Sequence, residues 1–173
     1  MIGMTGKTLA SPRLTCRLLD GQDRQALACL LDSRAVTEPA GFLPAENDEA
    51  FDRFFQSLTA YRSALAVLRN GELIGYIHVN PYRSSRPPLA GRACVGLGFV
   101  IGSRFQRQGL GSEMLEMVTR YLKERFDYCV CDHFSDNLPS QKLIEGRGYQ
   151  YLEEYEMYFE ELGAVRRCLS YYR

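Results

Sequence analysis

"RFQRQGLGSEMLEMV", residues Arg104–Val118, places Gln106, Gly109 and Gly111 at the mouth of an amphipathic helical pattern. Glycine is a poor helix former, so two of them there need a reason. Either a ligand comes closer to the backbone than a Cβ permits, or the chain makes an ordinary tight turn. From Leu110 onward the apolar residues Leu110, Met114, Leu115, Met117, Val118, Tyr121 and Leu122 fall mostly on one stripe. Glu113, Glu116, Thr119, Arg120 and Lys123 occupy the other face, which predicts a helix from about Gly109 to Arg125 packed on a sheet. The first turn of any helix leaves backbone N–H groups unpaired and carries roughly half a positive charge, a setting for an anion. Arg107 adds a charge there and Ser112 a hydroxyl. The stretch contains neither G-x-x-x-x-G-K-[ST] nor G-x-G-x-x-G, which disfavours a nucleoside triphosphatase or a dinucleotide enzyme.

The flanking segments set this helix in an α/β frame. "ACVGLGFVI" before it and "YCVCDHF" after it read as strands, so residues 94 to 133 form a β-α-β unit with parallel strands and a right-handed crossover. In "SALAVLRNGELIGYIHVN" two strand-like runs flank Asn70-Gly71, the pair favoured in a two-residue hairpin turn. "LTCRLLD" (Leu14 to Asp20) is a first strand, and Ala26, Leu27, Leu30 and Leu31 mark a helix with Asp23 as its expected cap. "VTEPAGFLPAEND" reads as a loop, and Phe51, Phe54, Phe55 and Leu58 form the stripe of a second helix. "NLPSQKLIEGRG" is a further helix, and "YQYLEEYEMYFE" with "AVRRCLSYY" a terminal hairpin. The expected order is β-α-α-β-β-β-α-β-α-β-β, a single-domain mixed sheet flanked by helices over residues 14–173. Residues 1–13 read as a flexible leader, with Met4 an alternative start.

Composition narrows the function. The 173 residues suffice for one domain, and 46% hydrophobic with 24% charged residues is a globular balance. Lys plus Arg equal Asp plus Glu at 21 each, so no net field points to nucleic acid or an anionic membrane. No apolar run approaches the roughly 18 residues of a membrane span. The leader lacks a signal-peptide core, so the expected location is the cytoplasm. The six cysteines are expected as buried free thiols: Cys129 and Cys131 share a strand face, but their spacing does not suit a metal pair.

With these elements placed, Gln106-Arg107-Gln108-Gly109-Leu110-Gly111 resembles the [RQ]-x-x-G-x-[GA] signature of the GNAT acyl-CoA-dependent N-acetyltransferases. "LTCRLLDGQD" resembles that family's first strand and the start of its first helix, and "LAVLRNGELIGYIHV" its β2–β3 hairpin. "DNLPSQKLIEGRGYQYLEEYE" is similar to the N-x-x-S…G-[FY] stretch of the RimJ/RimL-like branch, which acetylates ribosomal-protein N-termini.

The resemblance implies acetyl-CoA as co-substrate, without a metal. Its pyrophosphate would sit on the backbone amides of Arg107, Gln108, Gly109, Leu110, Gly111 and Ser112, and its pantetheine arm along Phe99, Val100 and Ile101. Gly96 and Gly98 mark either a bulge that splays this strand or close packing. Asn137 matches the family asparagine that contacts the cofactor; as a residue it equally suits a helix N-cap, as does Asp136. Ser140 aligns with a serine thought to protonate the departing thiolate; its bland alternative is a first-turn serine.

Two positions depart from the pattern. The tyrosine that serves many members as general acid is Ile144 here, and the glutamate base of the ribosomal-protein branch is Gly96. An amine must be neutral to attack a thioester. An α-amino group titrates at about 7.7–8.0 and a lysine at about 10.4, so a site without a strong base leans towards α-amines or other weakly basic amines. His133, at the end of its strand, is a candidate base beside Glu38, Asp136 and the tyrosines, with His78 weaker; its plainer alternative is a structural histidine. Cys131 has no partner spacing for a covalent route. The expected activity is therefore direct acetyl transfer in a ternary complex to a primary amine, a peptide or protein N-terminus or another weakly basic amine. A small-molecule acetyltransferase and a non-catalytic acyl-CoA sensor are the alternatives. A homodimer is left open.

Overall fold

A computed structural model of the chain describes residues 6–173. The alternative start at Met4 and the first five residues of the expected leader lie outside them. Among the described residues eight strands form one sheet: β1 (Leu9–Ala10), β2 (Thr15–Leu18), β3 (Ala64–Arg69), β4 (Glu72–Tyr82), β5 (Cys94–Ile101), β6 (Tyr128–Phe134), β7 (Gln150–Phe159) and β8 (Ala164–Tyr172). Their spatial order is β1-β2-β3-β4-β5-β6-β8-β7. The β5–β6 pair is parallel and every other pair is antiparallel. The α-helices of the described residues are α1 (Arg24–Leu31), α2 (Arg34–Thr37), α3 (Asp48–Ala60), α4 (Leu110–Leu122) and α5 (Leu138–Glu145).

Local chemistry explains most of these elements. Asn70 and Gly71 turn the β3–β4 hairpin with φ of 51° and 81°, the positive pair that a type I′ turn requires. Asn47 caps α3 by accepting from the Ala50 N–H at 2.8 Å. Asp23 does not cap α1. Asp20 caps the short turn ahead of it, and Asp23 is buried in a two-pronged pair with Arg17 at 2.7 and 2.8 Å.

Two elements differ from the expected order. Within the expected leader, β1 pairs Leu9 with Cys16 and Ala10 with Thr15, and Leu9 is buried. The expected loop after α1 holds α2 and a 3-10 turn, Glu38–Ala40, because Val36 and Thr37 turn inward. Of the cysteines, all free, Cys29 is exposed rather than buried, as it lies on the outer side of α1.

Each face of the sheet carries its own core. On one side α4 and α5 bury Leu110, Met114, Leu115, Val118 and Ile144 against Leu65, Val67, Ile77, Val95, Leu97, Cys129 and Cys131. On the other, α1, α2 and α3 bury Leu27, Leu31, Val36, Phe51, Phe55 and Leu58 against Ala64, Ala66, Tyr76 and Val100. This second layer ends at Val100, and a separate small cluster of Leu89, Cys94 and Val130 covers the far end of β5 and β6. Between the two clusters the sheet face is open at Gly98.

Candidate active site

The site begins where β5 and β6 part company. Their parallel pairing runs from Cys94↔Tyr128 to Leu97↔Cys131 and stops, although both strands continue. Beyond that point β5 stays paired to β4, through His78↔Gly98 to Gly75↔Ile101. The register with β4 is unbroken, so neither Gly96 nor Gly98 makes a bulge. Close packing does not explain them either: a Cβ on Gly96 would make only ordinary contact with Tyr82, and one on Gly98 would meet nothing within 4 Å.

Strand alternation decides what faces the gap. The Gly102 N–H donates to the Ile74 carbonyl of β4 at 2.9 Å, and the Val100 carbonyl abuts Gly75 of β4. The backbone groups of Phe99 and Ile101 therefore point the other way, towards the space that β6 vacates. The Gln106 side-chain amide bridges to the Ile101 carbonyl at 2.8 Å, tying the end of β5 to the turn that follows.

That turn is built by positive φ at Arg107 (59°) and Gly109 (74°), with Gly109 as the N-cap of α4. Gly109 offers no side-chain cap, and the first helical bond is Glu113 N–H to Gly109 C=O at 3.1 Å. None of the six backbone N–H groups from Arg107 to Ser112 has a hydrogen-bond partner among the described residues. Arg107, Gln108 and Gly109 are exposed, Gly111 and Ser112 half-buried and Leu110 buried. They form a helix-terminal nest suited to a phosphate or pyrophosphate.

The loop is also braced. Gln108 donates to the Arg104 carbonyl at 2.8 Å and accepts from Arg69 at 3.0 Å. Arg13 donates to the Gln108 carbonyl at 2.9 Å and pairs with Glu113 at 2.6 Å. Sequence reasoning missed Arg13 as a neighbour of the turn, because only the β1–β2 hairpin brings it there. The two glycines have different reasons. Gly109 supplies the left-handed conformation, whereas a Cβ at Gly111 would lie 2.7 Å from a Leu143 methyl of α5, so Gly111 serves the packing of α4 against α5.

On the other side of the gap, Asn137 caps α5 by accepting from the Ser140 N–H at 3.2 Å. Its amide also reaches the Pro39 carbonyl at 3.4 Å, which draws the 38–40 turn across the parted strands. Asp136 is taken by Arg166 at 2.8 Å. Ser140 is half-buried on the first turn of α5, and Ile144 is fully buried in the core, a place where a tyrosine hydroxyl would have no water to meet.

The structure does not put His133 in the cleft. Alternation places it on the α4/α5 face of β6 with Cys129 and Cys131. There it is 6% exposed, stacked on Tyr171 at 5.3 Å and bonded through Nδ1 to its neighbour's carbonyl at 2.7 Å. The adjacent Asp132 points to the open face instead and keeps solvent access. Protein crowding pushes its carboxyl above the ordinary range, partly countered by the hydroxyls of Ser170 and Tyr155. The signal was present in the alternation of "YCVCDHF", since a strand that buries Cys129 and Cys131 on one face must show Asp132 on the other. Glu38 sits at the start of the 38–40 turn, paired with Arg34. His78 is half-buried, bonded to Ser63 at 2.9 Å, and burial lowers its pKa.

An apolar pocket of about 260 Å³ lies on the α3 side of this face, lined by Leu31, Phe42, Pro44, Phe51, Phe54 and Glu161 among others. Phe42 stacks on Phe54, and Phe54 meets Tyr76 edge-on, one strand away from Val100. Among the described residues no group of three His, Cys, Asp or Glu could hold a metal ion, and no helix is long and apolar enough to cross a membrane.

A family description, "Acetyltransferase (GNAT) domain", matches residues 13–150. No curated protein matches the sequence significantly. Among solved structures, an acetyltransferase of the GNAT family from Bacillus anthracis superposes with a TM-score of 0.80 at 16% identity, covering 96% of this chain and 98% of that one. A Salmonella typhimurium acetyl transferase described as modifying the N-terminal serine of ribosomal protein L7/L12 gives 0.77 at 17% identity, with 96% and 98% covered. A RimL ribosomal L7/L12 alpha-N-protein acetyltransferase in its apo form gives 0.80 at 16% identity, with 96% and 93% covered. At such identities the likeness is one of fold.

Proposed function

Because the chain belongs to the GNAT acetyltransferase family, we propose that its acceptor is the α-amino group of a peptide or protein. The family makes it an acetyl-CoA-dependent N-acetyltransferase, acting on an amine. The observation that carries the placement of acetyl-CoA is the run of partnerless N–H groups from Arg107 to Ser112 beside the parted strands β5 and β6. Those donors suit the pyrophosphate. The inward-turned backbone of Phe99 and Ile101 suits the pantetheine amides, with Val100 between them holding β5 to β4.

Chemistry would then occur at the far end of the gap. Amine and thioester are held in reach of each other, which supplies much of the rate, and the backbone N–H of Phe99 polarises the thioester carbonyl while the Phe99 carbonyl and the Ile101 N–H hold the pantetheine amides. Ser140, the hydroxyl of α5, would act as proton donor to the leaving thiolate. Asn137 contributes as the cap that orients this first turn and its bond to the 38–40 turn, and contact with the cofactor is part of the same proposal.

An α-amine acceptor is supported by two features. The 38–40 turn and the β7–β8 hairpin meet over the sheet face through Gly41 against Phe159 and Phe159 against Phe134 at 4.9 Å, and on that face Gly98 and Asp132 remain exposed. The likeness of fold extends to enzymes described as acting on a protein N-terminus. The apolar pocket favours a second reading, a small amine with one apolar group, since about 260 Å³ lies below the roughly 300–1,000 Å³ of typical ligand pockets. The test is thiol release from acetyl-CoA against N-terminal peptides, free amino acids and polyamines. Release confined to peptides supports the proposal. Release confined to small amines replaces it with the second reading, and tight cofactor binding without any release replaces both with a sensor.

A further inference from the structure

One row of residues crosses the open sheet face. Register pairs His78 with Gly98 on β4 and β5, and Asp132 with Ser170 on β6 and β8. Gly98 and Asp132 lie one residue beyond the last β5–β6 pair, Leu97↔Cys131, so they are neighbours on the same face across the gap. A Cβ on Gly98 would meet nothing within 4 Å, which leaves a hollow flanked by His78 and the Asp132 carboxylate. Ser170, directly opposite Asp132, is fully buried, and its hydroxyl faces that carboxylate. No Lys or Arg is among the charges acting on Asp132. An exposed carboxylate with no Lys or Arg against it, above a bare glycine, has room for a positively charged hydrogen-bond donor.

We propose that this hollow is the acceptor site, that it takes a primary ammonium over Gly98, and that Asp132 is the general base that removes its proton. The inference rests on the transferase reading and supplies the base that Gly96 and Ile144 do not. Asp132 takes one proton from the ammonium. The freed nitrogen lone pair forms the N–C bond to the thioester carbonyl, and the C–S bond breaks with its electron pair on sulfur. The second nitrogen proton passes to sulfur through Ser140 or water, and the Asp132 proton leaves to solvent. The groups facing Asp132 are Tyr82 from β4, Ser170 and Cys168 from β8, and Tyr155 and Glu153 from β7, with His133 behind it on its own strand. Glu153 is held by Arg86 at 2.6 Å, which leaves Asp132 as the free carboxylate of the row. Crowding raises its pKa, which improves it as a base.

The test measures kcat/KM against pH for wild type and Asp132→Asn, with an alanine-initiated tetrapeptide amide and Nα-acetyl-lysine amide as probes. Wild type should show a plateau between the pKa of Asp132 and that of the acceptor. Asp132→Asn should lose the plateau, rise about tenfold per pH unit up to the acceptor's pKa, and fall at least about 100-fold at neutral pH. Its affinity for coenzyme A should be unchanged, which also shows that it folds. Gly98→Val, which fills the hollow and spares Asp132, should raise KM for the probe at least tenfold and leave coenzyme A binding alone. A plateau kept by Asp132→Asn with a rate within threefold of wild type overturns the site while the transferase stands. Loss of the plateau in His78→Gln instead also overturns it. Wild type that releases no thiol yet binds the lysine probe in an Asp132-dependent way retains the ammonium site and removes the transferase. Neither release nor binding overturns both.

Discussion

Replacing Gly109 by valine separates the two things that this residue does. With φ of 74° and ψ of 2°, Gly109 sits in the left-handed region, where a side chain costs roughly 1–2 kcal/mol. A Cβ there would lie 3.5 Å from the Arg13 guanidinium, an ordinary contact, so the penalty is one of backbone strain rather than collision. Gly109→Val should therefore fold, with stability to urea lower by about 1–2 kcal/mol. The branched methyls stand over the partnerless amides of the α4 turn and hold a phosphate away from them. Coenzyme A affinity should drop at least tenfold, which is about 1.4 kcal/mol. The control is Gly71→Val at the β3–β4 hairpin, where φ is 81° and a Cβ would meet nothing within 4 Å. It carries a comparable backbone penalty in a turn that plays no part in binding. Titration calorimetry with coenzyme A, run beside urea unfolding for both variants, reads the two effects apart. A folded Gly109→Val with wild-type affinity refutes the reasoning, and so does a Gly71→Val that loses affinity equally.

Three other substitutions have defined outcomes. Ile144→Tyr puts a larger, polar-tipped residue into a fully buried position and should cost about 1–3 kcal/mol in thermal unfolding without raising kcat; a gain in kcat would show that the position reaches the reaction after all. Ser140→Ala should lower kcat while coenzyme A affinity stays at the wild-type value, as measured by steady-state thiol release and calorimetry. The Arg173 guanidinium beside Glu116 holds that carboxylate below its ordinary range, so its stabilisation is present above the ordinary carboxylate pKa and fades as pH falls through the lowered one. Glu116→Gln should then be less stable than wild type by no more than about 1 kcal/mol near neutrality, the two curves converging in acid.

What could be read from the chain was whatever local spacing determines. Asn70-Gly71 announces its hairpin because both residues tolerate positive φ, and the stripe on α4 announces a helix lying on a sheet. The parallel pair around it follows from β-α-β handedness. What spacing does not carry is which face a residue occupies once strands from distant parts of the chain are set side by side. His133 looked like a base because it ends a strand near the expected chemistry, but its neighbours Cys129 and Cys131 turn that face inward and give the cleft to Asp132. Gly111 looked like a partner of Gly109 in ligand approach, yet its cause is Leu143, a contact between two helices. Arg13 reaches the turn only through the β1–β2 hairpin, whose two-residue first strand has too short a pattern to detect.

The central claim is that the pyrophosphate of acetyl-CoA rests on main-chain donors at the start of α4. An amide-resolved NMR titration with coenzyme A tests it directly. The largest shifts should fall on the backbone N–H groups of residues 107 to 112, with a second set at Phe99 and Ile101. Shifts centred elsewhere, with those of residues 107 to 112 unmoved at saturation, would contradict it.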